Sequence, residues 1–277
     1  MNGVVRMALP MTAGPGENNA DRHRVARIRD YWLGGTHNSE QDRVYANHVA
    51  MVAPHIPYLV RAQRALLGRI VRYLLGQGIR QFLDLGSGLP AQGHVHELTR
   101  DHLPPARVVY VDNDPGVAAD GRLLLAGNGN AGYLEMDFLR PTEVLADPLT
   151  RRLLDLDEPV ALLAIATMQQ VPDSADPALV IAGYLDALAP GSYLAMTHHG
   201  PDEYLTSALE TFAQMNLGPR PSVYLRDSIT MRLFFTGLEL AEPGIVPVPL
   251  WRPEPEDEDA RRHPERTPIH VGVGRKP

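Results

Sequence analysis

The sequence contains no cysteine. That excludes disulfides, thiolate metal sites and a cysteine nucleophile, and it suits a reducing, cytoplasmic setting. It also lacks any apolar run of about eighteen residues, the length a spanning helix needs, so no membrane partner is expected. The first residues lack the continuous apolar stretch of a signal peptide. Gly, Pro and Asn crowd the second half of that segment, and residues 1–20 read as a flexible tail. Basic charge is in deficit: 26 Lys and Arg against 33 Asp and Glu leave a net charge of −7, so nucleic acid is not the expected partner. Internal repeats of helix-pair or propeller length are missing too. What is plentiful is apolar residues, 44% of 277, enough for a sizeable core.

Residues 21–78 read as helical. In "DRHRVARIRDYWLGG", Val25, Ile28, Tyr31 and Trp32 fall on one helical face, and Gly34-Gly35 ends the helix. Arg22, Arg24, Arg27 and Arg29 fall mostly elsewhere, as a solvated face or as a clamp for an anionic substrate. A second helix is expected from about Ser39 to Val52, broken by Pro54 and Pro57. A third carries Leu59, Leu66, Ile70, Tyr73 and Leu74 along one side and stops at Gly76 and Gly78. From residue 79 strands and helices alternate, through "IRQFLDLG", "RVVYVDND", "AGYLEMDF", "PVALLAIA" and "GSYLAMTH". That alternation predicts a doubly wound, mostly parallel sheet. "LRDSITMRLFF" reads as a helix, "LELAEPGIVPVPLW" as one or two strands broken by Pro243 and Gly244, and "IHVGVGR" as a final strand.

In such a sheet, ligands bind beyond the carboxyl ends of the strands. The first strand ends there in Asp84-Leu85-Gly86-Ser87-Gly88. Glycines in that turn serve either the turn alone or the close approach of a ligand to bare backbone. Asp112 ends the second strand, 24 residues beyond Gly88, near the ~20-residue gap at which an acid reaches a nucleotide ribose. Asp114, just before Pro115, is the better helix cap and leaves Asp112 free for that task. Asp137-Phe138 ends the third strand and suits either an adenine or an ordinary turn before Pro141. A nicotinamide dinucleotide is disfavoured by Pro90, which removes an N–H from the phosphate-facing turn, and by Asp84, whose charge suits a cation. His94 and His96 are two apart, which turns them to different helix faces, so no metal site is expected. His198-His199 ends the fifth strand, either as a polar loop or with His198 as a weak candidate for a catalytic base.

"FLDLGSGLP", "VVYVDNDP", "LEMDFLRP", "PVALLAIA" and "LAPGSYLAMTH" together resemble class I S-adenosylmethionine-dependent methyltransferases. "ARIRDYWLGGTHNSEQDR", "GLPAQGHVHE" and "VGVGRKP" resemble, more narrowly, the actinobacterial S-adenosyl methyltransferase family once classed as a domain of unknown function. The likeness runs from about residue 21 to 277. It implies a Rossmann-like α/β fold with a mostly parallel seven-stranded sheet, an inserted antiparallel last strand, and S-adenosylmethionine as cofactor. It implies that Asp84, Gly86, Ser87 and Gly88 line the methionine part, Asp112 and Asn113 the ribose, and Asp137 and Phe138 the adenine. Ala166 and Met168 would flank the sulfonium, and Tyr31, Gly34 and Gly35 would close over the cofactor. "GGTHNS" and Gln169-Gln170 depart from the family pattern, which bears on the acceptor site. The expected layout is a tail (1–20), a helical cap or lid (21–78) and a cofactor-binding domain (79–277), working as a methyltransferase on a small-molecule acceptor. The alternatives are a non-catalytic S-adenosylmethionine sensor and a nicotinamide-dependent dehydrogenase. For residues 30–38, a lid with Tyr31 near the cofactor and Trp32 as anchor stands against a simple helix stop.

Overall fold

The structure is a computed structural model that describes residues 19–90, 92–214, 223–255 and 261–277. The tail expected at 1–20 falls almost wholly outside those residues. Three helices come first: α1 (Asn19–Trp32), α2 (Glu40–Val52) and α3 (Ile56–Gly76). α2 starts where Ser39 accepts the Asp42 N–H and Asp42 accepts the Ser39 N–H, a reciprocal cap that satisfies two otherwise orphaned donors. Pro57 does more than end the preceding helix. It sits in the first turn of α3, where a missing N–H costs nothing. Leu59, Leu66, Ile70 and Leu74 of α3 are buried, each worth about 1.5–3 kcal/mol against exposure. On α1 the buried face is narrower than the sequence suggests, with Ile28 buried but Val25 exposed.

The strands are β1 (Gln81–Leu85), β2 (Arg107–Asp112), β3 (Ala131–Glu135), β4 (Ala161–Ala164), β5 (Tyr193–His199), β6 (Glu239–Leu240), β7 (Val246–Pro247) and β8 (Ile269–Arg275). The helices after α3 are α4 (Val95–Leu98), α5 (Pro115–Leu124), α6 (Pro141–Ala146), α7 (Pro148–Leu153), α8 (Pro177–Ala187), α9 (Glu203–Gln214) and α10 (Ser228–Met231). The sheet runs β3-β2-β1-β4-β5-β8-β6, with β7 also on β8. β1 to β5 are parallel, and β8 is antiparallel to β5, β6 and β7. The order in which strands are added reverses between β1 and β4, the switch point that opens a crevice at the carboxyl edge.

The mostly parallel sheet with an inserted antiparallel last strand is as expected, but it has eight strands rather than seven. The turn through Pro243 and Gly244 cuts the outermost strand into β6 and β7, two residues each. "LRDSITMRLFF" is also shorter in its helix than expected: α10 has four residues and passes into a 3-10 turn at Arg232–Phe235. Helices α6 and α7 have no counterpart in the sequence reading. Pro141 and Pro148 stand at the first turn of these helices, where the missing N–H costs nothing.

Both faces of the sheet are covered. Leu66, Ile70 and Trp251 pack with Phe82, Val108 and Val271 on one face. Ile181, Tyr184 and Phe235 pack with Leu83, Val109 and Leu162 on the other. β4 lies between them and is buried throughout, as its unbroken apolar run requires. No helix among the described residues is long and apolar enough to cross a membrane.

Candidate active site

Beyond β1 the chain turns through Gly86 (φ 60) and Gly88 (φ 64), a region that L side chains seldom adopt. The two glycines differ in what a side chain would meet. A Cβ on Gly86 would lie 2.5 Å from Cγ2 of Thr167, whose hydroxyl donates to the Leu85 carbonyl at 2.7 Å. Gly86 therefore makes room for Thr167. A Cβ on Gly88 would meet only Cβ of Ala26, at 4.0 Å, on α1. Its bare backbone faces the space beneath that helix. Ser87 donates its hydroxyl to Tyr133, which donates in turn to the Gly88 carbonyl at 2.7 Å. Asp112 accepts the Gly88 N–H at 3.0 Å and the Asp114 N–H at 3.1 Å. Asp114 caps α5 at Val117, as expected. A carboxylate has about four acceptor positions, so Asp112 keeps capacity for a diol. Asn113 beside it is exposed.

Asp84 is 4% exposed, and its carboxyl makes no hydrogen bond among the described residues. Burial pushes its pKa up to about 7, against the pull of the Arg64 charge and with added repulsion from Asp112. Arg64, on α3, also acts on Asp30. Burial and Arg64 together hold Arg29 of α1 down to about 10. Asp30 is buried too. One of its carboxylate oxygens accepts the His37 N–H (2.8 Å) and the Asn38 amide (2.7 Å), while Oδ1 has no partner among the described residues.

The segment Asp30–Gly35 is a helix-closing turn. Gly35 N–H reaches the Asp30 carbonyl at 2.8 Å and Gly34 N–H the Tyr31 carbonyl, with Gly34 at φ 80. A Cβ on Gly35 would overlap the Asp30 carboxylate, at 2.0 Å from Oδ1. The Tyr31 hydroxyl is directed to Asn47 of α2 at 3.5 Å. The side-chain atom that a Cβ on Gly88 would meet belongs to Ala26, so α1 itself overlies the turn. Arg27 ties α1 to Asp120 of α5 at 3.3 Å.

At the β3 end, Asp137 accepts the Leu139 N–H at 3.0 Å, ordinary turn chemistry, and Phe138 packs against the core while its carbonyl accepts the Tyr184 hydroxyl. After β4, Ala166 takes φ 61 and donates its N–H to Thr197. A positive φ on alanine is strain held by its surroundings. Those surroundings include buried Met168 and Arg226, which donates to the Met168 and Val171 carbonyls, to Asp173 and to Nε2 of His198 at 2.8 Å.

Arginine only donates. His198 Nε2 must therefore accept, and Nδ1 carries the proton that it donates to the His199 carbonyl. His198 is fully buried, and burial pushes its pKa down to about 4. Both ring nitrogens are committed to holding a loop, which corrects its reading as a candidate base. His94 and His96 do not diverge either. His94 precedes α4 as its cap, and both rings stand edge-on to Tyr110.

The cluster missed by sequence reasoning is Arg29, Asp30 and Arg64 beside Asp84. Nothing in a run of four arginines marks Arg29 as the one whose charge meets that of Arg64. The arrangement sets carboxylates and guanidiniums side by side, next to a backbone without side chains and an acid, Asp112, with spare acceptor capacity. It fits a zwitterionic amino acid joined to a nucleoside. No group of three or more potential metal ligands occurs among the described residues.

The chain matches the family model described as S-adenosyl methyltransferase over residues 12–277. It is similar to a DUF574-family protein from Streptomyces avermitilis, at 37% identity over 91% of this chain and 97% of that one, with a TM-score of 0.82. A candidate methyltransferase from Thermobifida fusca is also 37% identical, covering 91% and 94%, with a TM-score of 0.79. The magnesium protoporphyrin IX methyltransferase of Synechocystis, solved with S-adenosylmethionine, shares the fold alone, at 11% identity over 95% and 100% and a TM-score of 0.52. No curated protein matches the chain. With the family match covering nearly the whole sequence, the chain belongs to the S-adenosyl methyltransferase family and is an S-adenosylmethionine-dependent methyltransferase of Rossmann-like α/β fold.

Proposed function

We propose that the enzyme holds S-adenosylmethionine at the carboxyl ends of β1 and β2 and methylates a small molecule beneath α1. The observation that carries this reading is Asp84, a buried carboxyl pulled on by the Arg64 charge at the end of β1, just before the open glycine backbone of Gly88. Asp84 and Oδ1 of Asp30 would receive the ammonium of the methionine part, and Arg29 and Arg64 its carboxylate. The backbone of Gly86, Ser87 and Gly88 would lie along it. Asp112, with Asn113, would accept the ribose hydroxyls, and Asp137 and Phe138 would border the adenine. Ala166 and Met168 would flank the sulfonium. The bound cofactor supplies an electrophilic methyl group. α1 excludes water from that methyl, and the strained Ala166 turn, clamped by Arg226, fixes the wall it faces. Most of the catalytic effect then lies in alignment.

The cover provided by α1, α2 and α3 supports a small acceptor, and the net charge of −7 argues against a nucleic acid. A cytoplasmic setting belongs to the same reading. The family match sets aside the nicotinamide alternative. Calorimetry tests the cofactor site. Asp112→Ala should lose about 1.5–3 kcal/mol of S-adenosylmethionine binding, the range for a hydrogen bond to a charged group. An affinity unchanged in a folded variant removes Asp112 from the site.

A further inference from the structure

We propose that the Gln169 side chain receives the methyl acceptor, that the acceptor is an amine, and that Oε1 of Gln169 accepts its N–H and favours the ammonium that methylation creates. This rests on the cofactor reading above. Gln169 and Gln170 follow β4, and the structure separates the two. Gln170 is exposed, whereas Gln169 is 6% exposed, in the 3-10 turn Met168–Gln170 just beyond the carboxyl end of β4. Contacts tie that turn to the cofactor side. Thr167 stands against Gly86 and donates to the Leu85 carbonyl, so the residue two before Gln169 touches the glycine turn. The Ala166 N–H is held by Thr197 of β5 at 2.8 Å. Arg226 donates to the Met168 carbonyl at 3.0 Å, and the Tyr224 N–H to the Gln169 carbonyl at 2.7 Å. The backbone around Gln169 is therefore fixed on both sides. Ala166, at φ 61, lies in the same turn, and strained residues of this kind cluster at ligand clamps.

Within this frame the amide has one uncommitted end. Nε2 donates to the Ala166 carbonyl at 2.9 Å. A carbonyl only accepts, so the amide nitrogen must face it and Oε1 is the end left over. Oε1 is buried and has no hydrogen-bond partner among the described residues. Buried polar atoms are seldom left unpaired. An acceptor atom held this way, beside the turn that would flank the sulfonium, is placed for a ligand that donates a hydrogen.

The neighbouring groups select the nucleophile. An alcohol or phenol needs a base to take its proton. Arg226 engages Asp173 and Nε2 of His198, and Nδ1 of His198 donates to the His199 carbonyl. His199, at the end of β5, is held down to about 3, chiefly by burial. None of these groups is a base for a hydroxyl. A neutral amine needs none, because its lone pair is already available. In the step, that lone pair forms the N–CH3 bond as the S–CH3 bond breaks and leaves its electrons on sulfur. The positive charge passes from sulfur to nitrogen, and the extra proton of the ammonium leaves to water. Gln169 takes no proton. Its carbonyl dipole faces the nitrogen as that atom turns positive, which favours the transition state. The products are an N-methylamine and the thioether.

The test uses a matched pair of probes, benzylamine and benzyl alcohol, with S-adenosylmethionine affinity and melting measured on every variant. Wild type should form N-methylbenzylamine and leave benzyl alcohol unchanged. Gln169→Met removes the oxygen at similar length. It should lower kcat/KM for benzylamine by about 10- to 100-fold while cofactor affinity stays within about twofold, since the lost bond is to the acceptor alone. Wild type that binds S-adenosylmethionine but methylates the alcohol, or neither probe, overturns the acceptor class. A folded Gln169→Met with wild-type kcat/KM overturns the role of Oε1. So does one whose cofactor affinity falls in step with its activity, because Gln169 would then only support the turn through Ala166. If that variant loses its melting transition, Gln169→Asn and the wild-type choice between the two probes decide in its place. Wild type that fails to bind S-adenosylmethionine at all defeats the cofactor reading, a separate failure.

Discussion

Asp84 is held where its charge is unwelcome. Its folded pKa is raised from 3.8 to about 7, so the folded state keeps a proton that the unfolded state gives up between those values. Stability therefore falls as pH rises through that window, and the full penalty persists above it. Asp84→Asn removes the penalty. It should melt higher than wild type at about pH 8, with the gap closing near pH 4, and should bind S-adenosylmethionine more weakly. Thermal melts across pH check the first part; a variant less stable at high pH contradicts it. The two glycines should separate in the same kind of experiment. Gly86→Val drives atoms into Thr167 and should lose several kcal/mol of stability, on the order of overpacking plus positive-φ strain. Gly88→Ala should cost only the strain, about 1–2 kcal/mol, while weakening cofactor binding, because its Cβ enters open space. Melting and calorimetry on both variants distinguish them, and a Gly88→Ala that binds normally defeats the ligand reading. Asp84, Gly86, Gly88 and Asp112 were legible in the sequence because strand ends locate them. Arg64 was not, and nothing set Arg29 apart from the arginines around it. Their placement depends on which helix face turns inward, and local pattern does not specify that.

Arg226 binds the loop after β4 to the segment before α10. It makes one contact with an exposed carboxylate and three with buried acceptors. Arg226→Met would leave the His198 nitrogen and the Val171 carbonyl unpaired, while the Met168 carbonyl keeps the Val171 N–H, a loss of about 3 kcal/mol. Urea unfolding measures it, and a change below about 1 kcal/mol would mean the loop is held by packing alone. No sequence signal points to this residue, since its partners lie 28 to 58 positions away. Elements were legible in proportion to burial. β4 announces itself as a continuous apolar run, and α3 by its stripe. The short helices α6 and α7 do not, because six residues are too few for a helical period to show. The edge strand was only half legible, since its break at Pro243 and Gly244 reads from sequence but the pairing of both halves with β8 does not.

At the scale of the molecule, the sheet's order and its order of synthesis disagree. β8 follows every other strand in sequence, yet it sits inside the sheet, paired along seven residues with β5 and on its other edge with β6 and β7. Deleting residues 269–277 should therefore leave insoluble protein rather than a weakened enzyme; a soluble, cofactor-binding truncation seen by sedimentation would refute this. On the ribosome the same arrangement imposes a waiting period. β5 emerges some seventy residues before its partner, roughly four to fifteen seconds at ordinary elongation rates. Throughout that interval its bare edge can pair with any other nascent strand. The cell's exposure to misassembly of this enzyme is then set by translation speed and by whatever shields that edge, more than by the stability of the finished fold.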